Sequence, residues 1–221
     1  AYNSVINRWG PFHRGAYVPV NLAFAAVVTV VAATTLDLSP RELGLSADAG
    51  SAVLPVSAVA LFAIGALVLA RSRHGHRIAD RRVADLHGAR LAYHLWVRIP
   101  LGTAVAEEVI FRGVLFAAWA AQGHPDMSAA AYASVAFGLW HVSPAIIGVR
   151  MNDPGASTRR LAIAALGAVV LTTFVGLVLT WLRVETGGLL SPILLHAGIN
   201  SSAALAAVIA HRRGRVDLRE S

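Results

Sequence analysis

The stretch VPVNLAFAAVVTVVAATTL, residues 18–36, contains no charged residue and decides the class of fold. The hydrocarbon core of a bilayer is about 30 Å thick, and a helix of about 20 mostly apolar residues crosses it. Further segments of this kind follow at 50–70, 101–121, 128–149, 161–182 and 189–210. The sequence therefore predicts an all-α, polytopic transmembrane helical bundle of about six spans.

The composition of the whole chain agrees with this prediction. Of its 221 residues, 56% are hydrophobic and 14% are charged, whereas soluble domains are about 25% charged. A soluble globular protein and a disordered chain are therefore excluded. The absence of cysteine excludes a disulfide scaffold, a thiolate metal site and a cysteine nucleophile. We expect a single integral membrane domain over residues 1–221.

The positive charges predict the orientation of the spans. All 19 positive residues are arginines, and 16 of them lie in 1–17, 71–100, 150–160 and the tail after residue 210. Arginine is enriched in cytoplasmic loops, so we expect these segments and both termini in the cytoplasm of a cell-membrane protein. The net charge of +7 is then mostly explained by the orientation of the spans in the membrane. The expected partner is the lipid bilayer, and nucleic acid is not expected.

The third predicted span contains ionisable residues that hydrocarbon disfavours. Glu107, Glu108 and Arg112 lie within it, and no other acidic residue falls inside a predicted span. Such groups cost several kcal/mol each unless paired or hydrated, which makes them a functional hypothesis. Glu108 and Arg112 are four residues apart and share a helix face, so a purely structural pair would explain them. Glu107 is rotated by about 100° from Glu108 and needs another explanation.

Two later spans carry polar residues with the same four-residue spacing. Phe137 and His141 are one turn apart in FGLWH, and His196 and Asn200 are one turn apart in HAGIN. A single transmembrane histidine is more often a hydrogen-bonded packing group. These two are the only histidines within the predicted spans, beside the only intramembrane carboxylates. We therefore expect the polar residues of the three spans to converge on one cavity.

Such a cavity is compatible with three classes of chemistry. A carboxylate in a medium of low dielectric constant acts as a general base, while histidine and asparagine stabilise an oxyanion, as amide hydrolysis requires. Two carboxylates and two histidines also suit zinc. Proton-coupled transporters use intramembrane glutamate and histidine as relays. The sequence has no HExxH motif and no aspartate pair in the spans, which excludes two other kinds of intramembrane protease.

The motifs, taken together, resemble a known family. AEEVIFRG at 106–113 has the pattern EExxxR, FGLWH at 137–141 has FxxxH, and HAGIN at 196–200 has HxxxN. In this order, within 101–202, they resemble the CPBP family of intramembrane proteases. That family includes the CAAX prenyl endopeptidases of the Rce1 type and bacterial relatives of the Abi and bacteriocin-immunity types.

The resemblance implies a role for each residue of the motifs. Glu107 would be the general base that activates water, assisted by His141, while His196 and Asn200 would stabilise the oxyanion. Glu108 and Arg112 would shape the site or bind substrate, and Phe137 would pack beside His141. The implied enzyme is an endopeptidase without a bound metal, although zinc stays open, and it acts on a peptide or protein substrate, lipidated or not. The alternative is a catalytically silent member that serves as a scaffold or immunity-type binding protein.

The depth of the site in the membrane adds a prediction about residues 91–100. A helix that starts at Leu101 places Glu107 about 9 Å above the cytoplasmic edge, whereas His196 lies about 21 Å above it. A helix that starts near Leu91 raises Glu107 to about 24 Å. We therefore expect the basic cytoplasmic loop 71–100 to end in a helical extension over 91–100, continuous with span three and kinked at Pro100.

Overall fold

Helices form the regular structure of the chain over the residues that the structure describes. The structure is a computed structural model and describes residues 15–46 and 52–220, with side chains up to residue 214. These parts contain no strand, so the all-α prediction is confirmed. The helices before and after the central one are α1 Tyr17–Leu36, α2 Val53–Arg71, α4 Asp126–Trp140, α5 Val142–Asn152, α6 Thr158–Thr186 and α7 Leu190–Glu220.

Some of the predicted features lie outside this description. They are the N-terminal arm with Arg8 and Arg14, residues 50 and 51 at the start of the second predicted span, and the side chains of Arg215 and Arg219.

The central helix, α3, is a continuous helical run that contains the predicted third span. Its successive pieces are Gly88–Tyr93, His94–Val105, Ala106–Glu108, Val109–Leu115 and Phe116–Ala120, of which the second and fourth have wide π-type turns. Residues 91–100 are helical in this structure and run without a break into the third predicted span. Proline has no N–H to donate, and Pro100 lies within a π-type piece, where regular α-helical bonding is already relaxed. The kink at Pro100 stays a prediction.

Within residues 15–46 and 52–220, five helices are long and apolar enough to cross a membrane. They are Tyr17–Leu36, Val53–Arg71, Asp126–Asn152 (which joins α4 and α5), Thr158–Thr186 and Leu190–Gly214. The charged residues of α3 interrupt its apolar sequence, so the count of six spans stays a prediction. The chain is a multi-pass membrane protein.

The fourth predicted span, 128–149, lies within the apolar helical stretch Asp126–Asn152, which one turn interrupts. The structure has two helices, and α4 ends at Trp140, just before His141. The backbone N–H of His141 bonds to the Gly138 carbonyl, which closes a tighter turn there. Pro144 lacks the N–H that would continue the helical bonding to Trp140. The turn at His141 divides this span into α4 and α5, and it falls at a motif residue.

Large apolar side chains face outward from the bundle, whereas two charged side chains of α3 lie inside it. Leu61 on α2 and Phe174 on α6 are 73% and 64% exposed. Glu108 and Arg112 on α3, by contrast, are fully buried. Outward apolar faces are what lipid tails solvate, and interior charges are what a membrane protein keeps away from those tails. This distribution supports the interpretation as a membrane-embedded bundle.

A second buried arginine, Arg183, forms hydrogen bonds to the turn after α1. The sequence suggested a loop over 183–188, but α6 continues to Thr186 and Arg183 is nearly buried within it. Its guanidinium donates to the backbone carbonyls of Arg41 and Glu42, at 3.3 and 2.8 Å. Gly44 in this turn has a φ of +71°, and a Cβ there would lie 2.4 Å from Arg183 Nε. A glycine is therefore required by both its backbone conformation and the close approach of Arg183.

The basic segment between α2 and α3 lies along α7. Ile78 and Ala79 pack against Ala206 and Ala210. Farther along the segment, Val83 and Leu86 pack against Ala207 and Val208, and Arg212 donates to the Leu86 carbonyl. The segment is thus packed against the bundle rather than extended away from it, which places its polar residues at the end of the cavity described below.

Candidate active site

Three elements bring the seven predicted site residues together. The residues on α3 are Glu107, Glu108 and Arg112, those at the end of α4 are Phe137 and His141, and those on α7 are His196 and Asn200. Direct contacts link the first six. Asn200 shares a cavity with Glu107 and His141, and no hydrogen bond joins its side chain to another described residue. The three motifs therefore converge on one cavity, although they lie far apart in the sequence.

The two carboxylate oxygens of Glu107 have different surroundings. Oε1 accepts a hydrogen bond from Trp140 Nε1 at 3.1 Å. Oε2 is buried and accepts no hydrogen bond from the described residues. It lies 4.0 Å from His141 Nε2 and 3.9 Å from His196 Nε2. These distances exceed those of direct hydrogen bonds.

The other ring nitrogen of each histidine identifies its tautomer. His141 Nδ1 lies 2.7 Å from the Phe137 carbonyl oxygen, which can only accept, so Nδ1 carries the proton. His196 Nδ1 lies 2.7 Å from Glu108 Oε1 and donates to it. In both residues Nε2 therefore faces Glu107, and it carries the lone pair when the ring is neutral. The two histidines differ in the partner of Nδ1, which is a neutral carbonyl for His141 and a carboxylate for His196.

Glu108 and Arg112 form the ion pair that their four-residue spacing predicts. Arg112 NH1 donates to Glu108 Oε1 at 3.0 Å, and both side chains are completely buried. Arg112 NH2 donates to the Gly176 carbonyl at 3.1 Å. A Cβ at Gly176 would lie 3.1 Å from that same NH2, so a side chain at this position would crowd the guanidinium. Helix α6 thus provides a partner that the three motifs do not contain.

An aromatic ring packs against the arginine and both histidines of the site. The Phe137 ring lies under the guanidinium carbon of Arg112, 4.2 Å from it, in cation–π geometry. The same ring meets the imidazoles of His141 and His196 edge to face, with centroids 4.5 and 5.7 Å away. Phe137 therefore contacts both histidines and the arginine, more than the packing beside His141 that was expected.

Sequence reasoning missed the contact of Trp140 with Glu107. The tryptophan directly precedes His141, and its partner lies 33 residues earlier on another helix. It also missed the pair of hydroxyl groups formed by Tyr17 and Thr103, 2.9 Å apart in the wall of the cavity. The adjacency of Trp140 to a motif histidine was a signal in the sequence for the first of these contacts, and the second had none.

The site opens into a cavity of about 1250 Å³. Glu107, His141 and Asn200 line one part of it, and Asp80 and Arg82 of the basic segment line another. Helix α5 runs between these parts, from beside His141 to Asn152, which bonds to Asp80, so the cavity extends about 16 Å along it. Its walls are mostly apolar and include Phe62, Leu69, Ile99 and Ile147.

No group of three or more histidine, aspartate or glutamate side chains is arranged to hold a metal ion within residues 15–46 and 52–214. The three atoms that face one another, Glu107 Oε2 and the two Nε2 atoms, come from two histidines and one glutamate. These residue types are zinc ligands elsewhere. The expectation of a metal-free site stays a prediction.

The comparisons with known proteins place these residues in a family. A family model of the Rce1-like type II CAAX prenyl endopeptidases matches residues 89–202, which is more than half of the chain. Comparisons with curated proteins and with solved structures give no match. The matched region begins in α3 and ends just after Asn200, so it contains all seven motif residues. The chain belongs to the Rce1-like type II CAAX prenyl endopeptidase family, a family of membrane proteases.

Proposed function

We propose that this protein is an active intramembrane endopeptidase in which Glu107 activates a water molecule. One observation carries the proposal: Glu107 Oε2 is buried without a hydrogen-bond partner among the described residues and faces the Nε2 atoms of His141 and His196. A carboxylate oxygen between two imidazoles is suited to hold a water and to take its proton.

The first chemical step is attack of this water on the peptide carbonyl. The water oxygen bonds to the carbonyl carbon as one water proton passes to Glu107 Oε2. The π electrons of the carbonyl move to its oxygen, which becomes an oxyanion. Neutral His141 accepts a hydrogen bond at Nε2 from the second O–H of the water, which stays on the attacking oxygen, and thereby orients the attacking lone pair. Its Nε2 is the acceptor because its Nδ1–H is engaged by the Phe137 carbonyl.

The oxyanion needs hydrogen-bond donors, and α7 supplies two. Asn200 donates through its side-chain amide. His196 donates through Nε2 only as an imidazolium, because its Nδ1 proton is already directed at Glu108. The Glu108 carboxylate stabilises that positive charge, which gives His196, rather than His141, the role of donor.

Collapse of the tetrahedral intermediate completes the reaction. The oxyanion reforms the carbonyl as the C–N bond breaks, and the electron pair of that bond goes to the nitrogen. Glu107 passes its proton to the leaving amine and returns to the carboxylate form. The products are a new carboxyl terminus and a new amino terminus, and no cofactor takes part in these steps.

The substrate we propose is a peptide segment within or beside the membrane, lipidated or not. The mostly apolar cavity beside Glu107 supports an apolar segment or a lipid chain at this position. A prenylated peptide and the same peptide without its prenyl group separate these two possibilities directly.

The test uses purified protein in lipid nanodiscs, a quenched prenylated peptide, its unprenylated form and a library of membrane peptides. The variants are Glu107→Gln and His141→Ala, each assayed with and without a chelator. Glu185→Gln, an exposed glutamate at the far end of α6, is the matched control. We expect Glu107→Gln to lose at least about 10³-fold in kcat, since it removes the base, and His141→Ala to lose about 10²-fold.

Each result has a distinct meaning. Cleavage that survives the chelator and disappears in Glu107→Gln supports a glutamate mechanism. Chelator sensitivity replaces it with a metal mechanism. A folded wild type that cleaves no peptide in the set contradicts the proposal and favours the silent scaffold or immunity-type protein.

We further propose that the basic segment and both termini face the cytoplasm of a cell membrane. Because the chain has no cysteine, single cysteines report on their own position without background. We expect Arg73→Cys to react with a membrane-impermeant maleimide only after the cells are opened, and Arg41→Cys to react in intact cells. The reverse pattern contradicts this orientation.

A further inference from the structure

One oxygen of Glu107 is held by a group outside the three motifs. Trp140 Nε1 donates to Glu107 Oε1 at 3.1 Å, which leaves Oε2 to face the two histidines. The carboxylate torsion of glutamate is broad and roughly two-fold, so the carboxylate alone does not fix which direction each oxygen takes. A donor on one oxygen fixes both.

The donor itself is rigidly placed. Trp140 is the last residue of α4, and its ring meets the Phe111 ring edge to face, at 5.7 Å and 76°. Phe111 lies one turn after Glu107 on α3 and also meets the Phe137 ring at 5.2 Å. The indole is therefore supported by the same helix that carries the carboxylate it contacts. A charge-assisted hydrogen bond with this support has a defined direction.

We propose that Trp140 is a positioning residue for Glu107: its indole N–H holds Oε1 so that Oε2 takes the proton of the attacking water. This inference rests on the proposed function. Trp140 is absent from the described lining of the cavity, whereas Glu107 and His141 belong to it. Trp140 therefore acts through Glu107 and not by contact with the substrate.

Two substitutions separate the N–H from the ring. Trp140→Phe removes the donor and keeps an aromatic ring against Phe111. Replacement of Trp140 by β-benzothienylalanine keeps the bicyclic shape and exchanges only the N–H for sulfur. Trp119→Phe is the matched control, because the Trp119 N–H is buried without a partner among the described residues while its ring stacks on Tyr132 and His124.

We expect both Trp140 variants to lose about tenfold to a hundredfold in kcat, because a misplaced catalytic group reduces the rate by such factors. KM should stay within about twofold of the wild-type value, since the substrate cavity is unchanged, and Trp119→Phe should match the wild type. A benzothienylalanine variant with wild-type kcat overturns the proposal, because the N–H would then be dispensable. Equal losses in kcat and gains in KM overturn it as well.

An independent measurement tests the hydrogen bond itself. In protein labelled with ¹⁵N at tryptophan, the Trp140 indole signal is identified by its disappearance in Trp140→Phe. We expect Glu107→Ala to shift that proton upfield and Glu185→Gln to leave it in place. An unshifted signal overturns the positioning role. If the wild type cleaves no substrate while the signal does shift, the proposed function fails and the contact between the residues stands, so the two failures are distinguishable.

Discussion

Two carboxylate–arginine pairs lie in this molecule in opposite surroundings. Glu108 and Arg112 pair at 3.0 Å inside the bundle, with both side chains completely buried. Asp80 and Arg82 pair at 2.6 Å in the basic segment, where the two side chains are 19% and 45% exposed. Both belong to hydrogen-bond networks, the first with His196 and Gly176 and the second with Asn152. The chemical groups are alike, so their differences come from the medium around them.

The comparison shows what each pair can do. In the interior, the charges have lost their hydration, and each depends on its protein partners for the electrostatic energy that replaces it. At the exposed end of the cavity, water screens the charges and substitutes for either partner. The inner pair is therefore a fixed part of the site, whereas the outer pair is replaceable. Substitutions in the two pairs test this contrast.

The largest effect is expected when the inner pair is broken. In Arg112→Met, Glu108 stays in the interior without its guanidinium partner. Removal of one member of a buried pair destabilises a protein by about 3–5 kcal/mol, and for a chain of this size that corresponds to a fall in Tm on the order of 10 °C. Thermal unfolding in detergent, followed by loss of tryptophan fluorescence, measures it. Arg160→Met, which removes the exposed partner of Asp153, is the control and should leave Tm nearly unchanged.

The double variant Glu108→Gln with Arg112→Met makes the test specific to charge. It removes both charges and leaves an amide that still accepts from His196. We expect it to unfold at a higher temperature than Arg112→Met alone, because no uncompensated charge is left inside. A double variant that is less stable than the single one would mean that packing of the arginine, and not its charge, carries the effect.

The sequence predicted the inner pair and its surroundings well for a definite reason. Charged residues in an apolar span stand out by composition, and the four-residue spacing places Glu108 beside Arg112 before any tertiary structure is known. The convergence with His141 and His196 followed from the same scarcity of polar residues in the spans. The continuity of α3 through residues 91–100 could also be predicted, because Glu107 and His196 reach a similar depth in the membrane only if the helix starts near Leu91.

Other features depended on contacts that no local pattern records. Trp140 bonds to Glu107 across helices, and the choice of that partner is tertiary. The break at His141 lay within a run apolar enough for one helix, and Pro144 was the only sign of it. Arg183 was expected in a loop because the fifth predicted span ends at residue 182, yet in the structure it lies near the end of α6 and bonds to backbone carbonyls of another turn.

The network around the outer pair was not predicted, since Asn152, which bonds to Asp80, lies 72 residues away from it in the sequence. Asn152 Nδ2 donates to Asp80 Oδ1 at 3.1 Å, and Asn152 Oδ1 accepts from the backbone N–H of Arg81 at 3.0 Å. The side chain of Arg82 reaches across to α5, where its guanidinium carbon would lie 3.2 Å from a Cβ at Gly148. This network joins the basic segment to the end of α5, so two parts of the cavity wall are held in contact by hydrogen bonds.

The smallest effect is expected from Asp80→Asn, which keeps the shape of the side chain and removes its charge. An ion pair exposed to this extent contributes about 0–1 kcal/mol, so Tm should fall by no more than a few degrees, against about 10 °C for Arg112→Met. Asp153→Asn, in the exposed pair with Arg160, is the matched control that does not line the cavity. A destabilisation by Asp80→Asn as large as that by Arg112→Met would contradict the contrast between the two pairs.

The pH dependence of this small effect has a definite sign. Burial acts to raise the pKa of Asp80, but the hydrogen bonds from Arg82 and Asn152 outweigh it and hold the pKa below its usual value. A carboxylate with a lowered pKa in the folded state stabilises the fold above its unfolded pKa, near 3.9, and loses that contribution as the pH falls through the lowered value. The wild type and Asp80→Asn should therefore differ by the same small amount at pH 7 and pH 5, and the difference should shrink below about pH 4. A difference in stability that grows on acidification would contradict this sign. It would mean that the negative charge of Asp80 does not account for the contribution of the outer pair to stability.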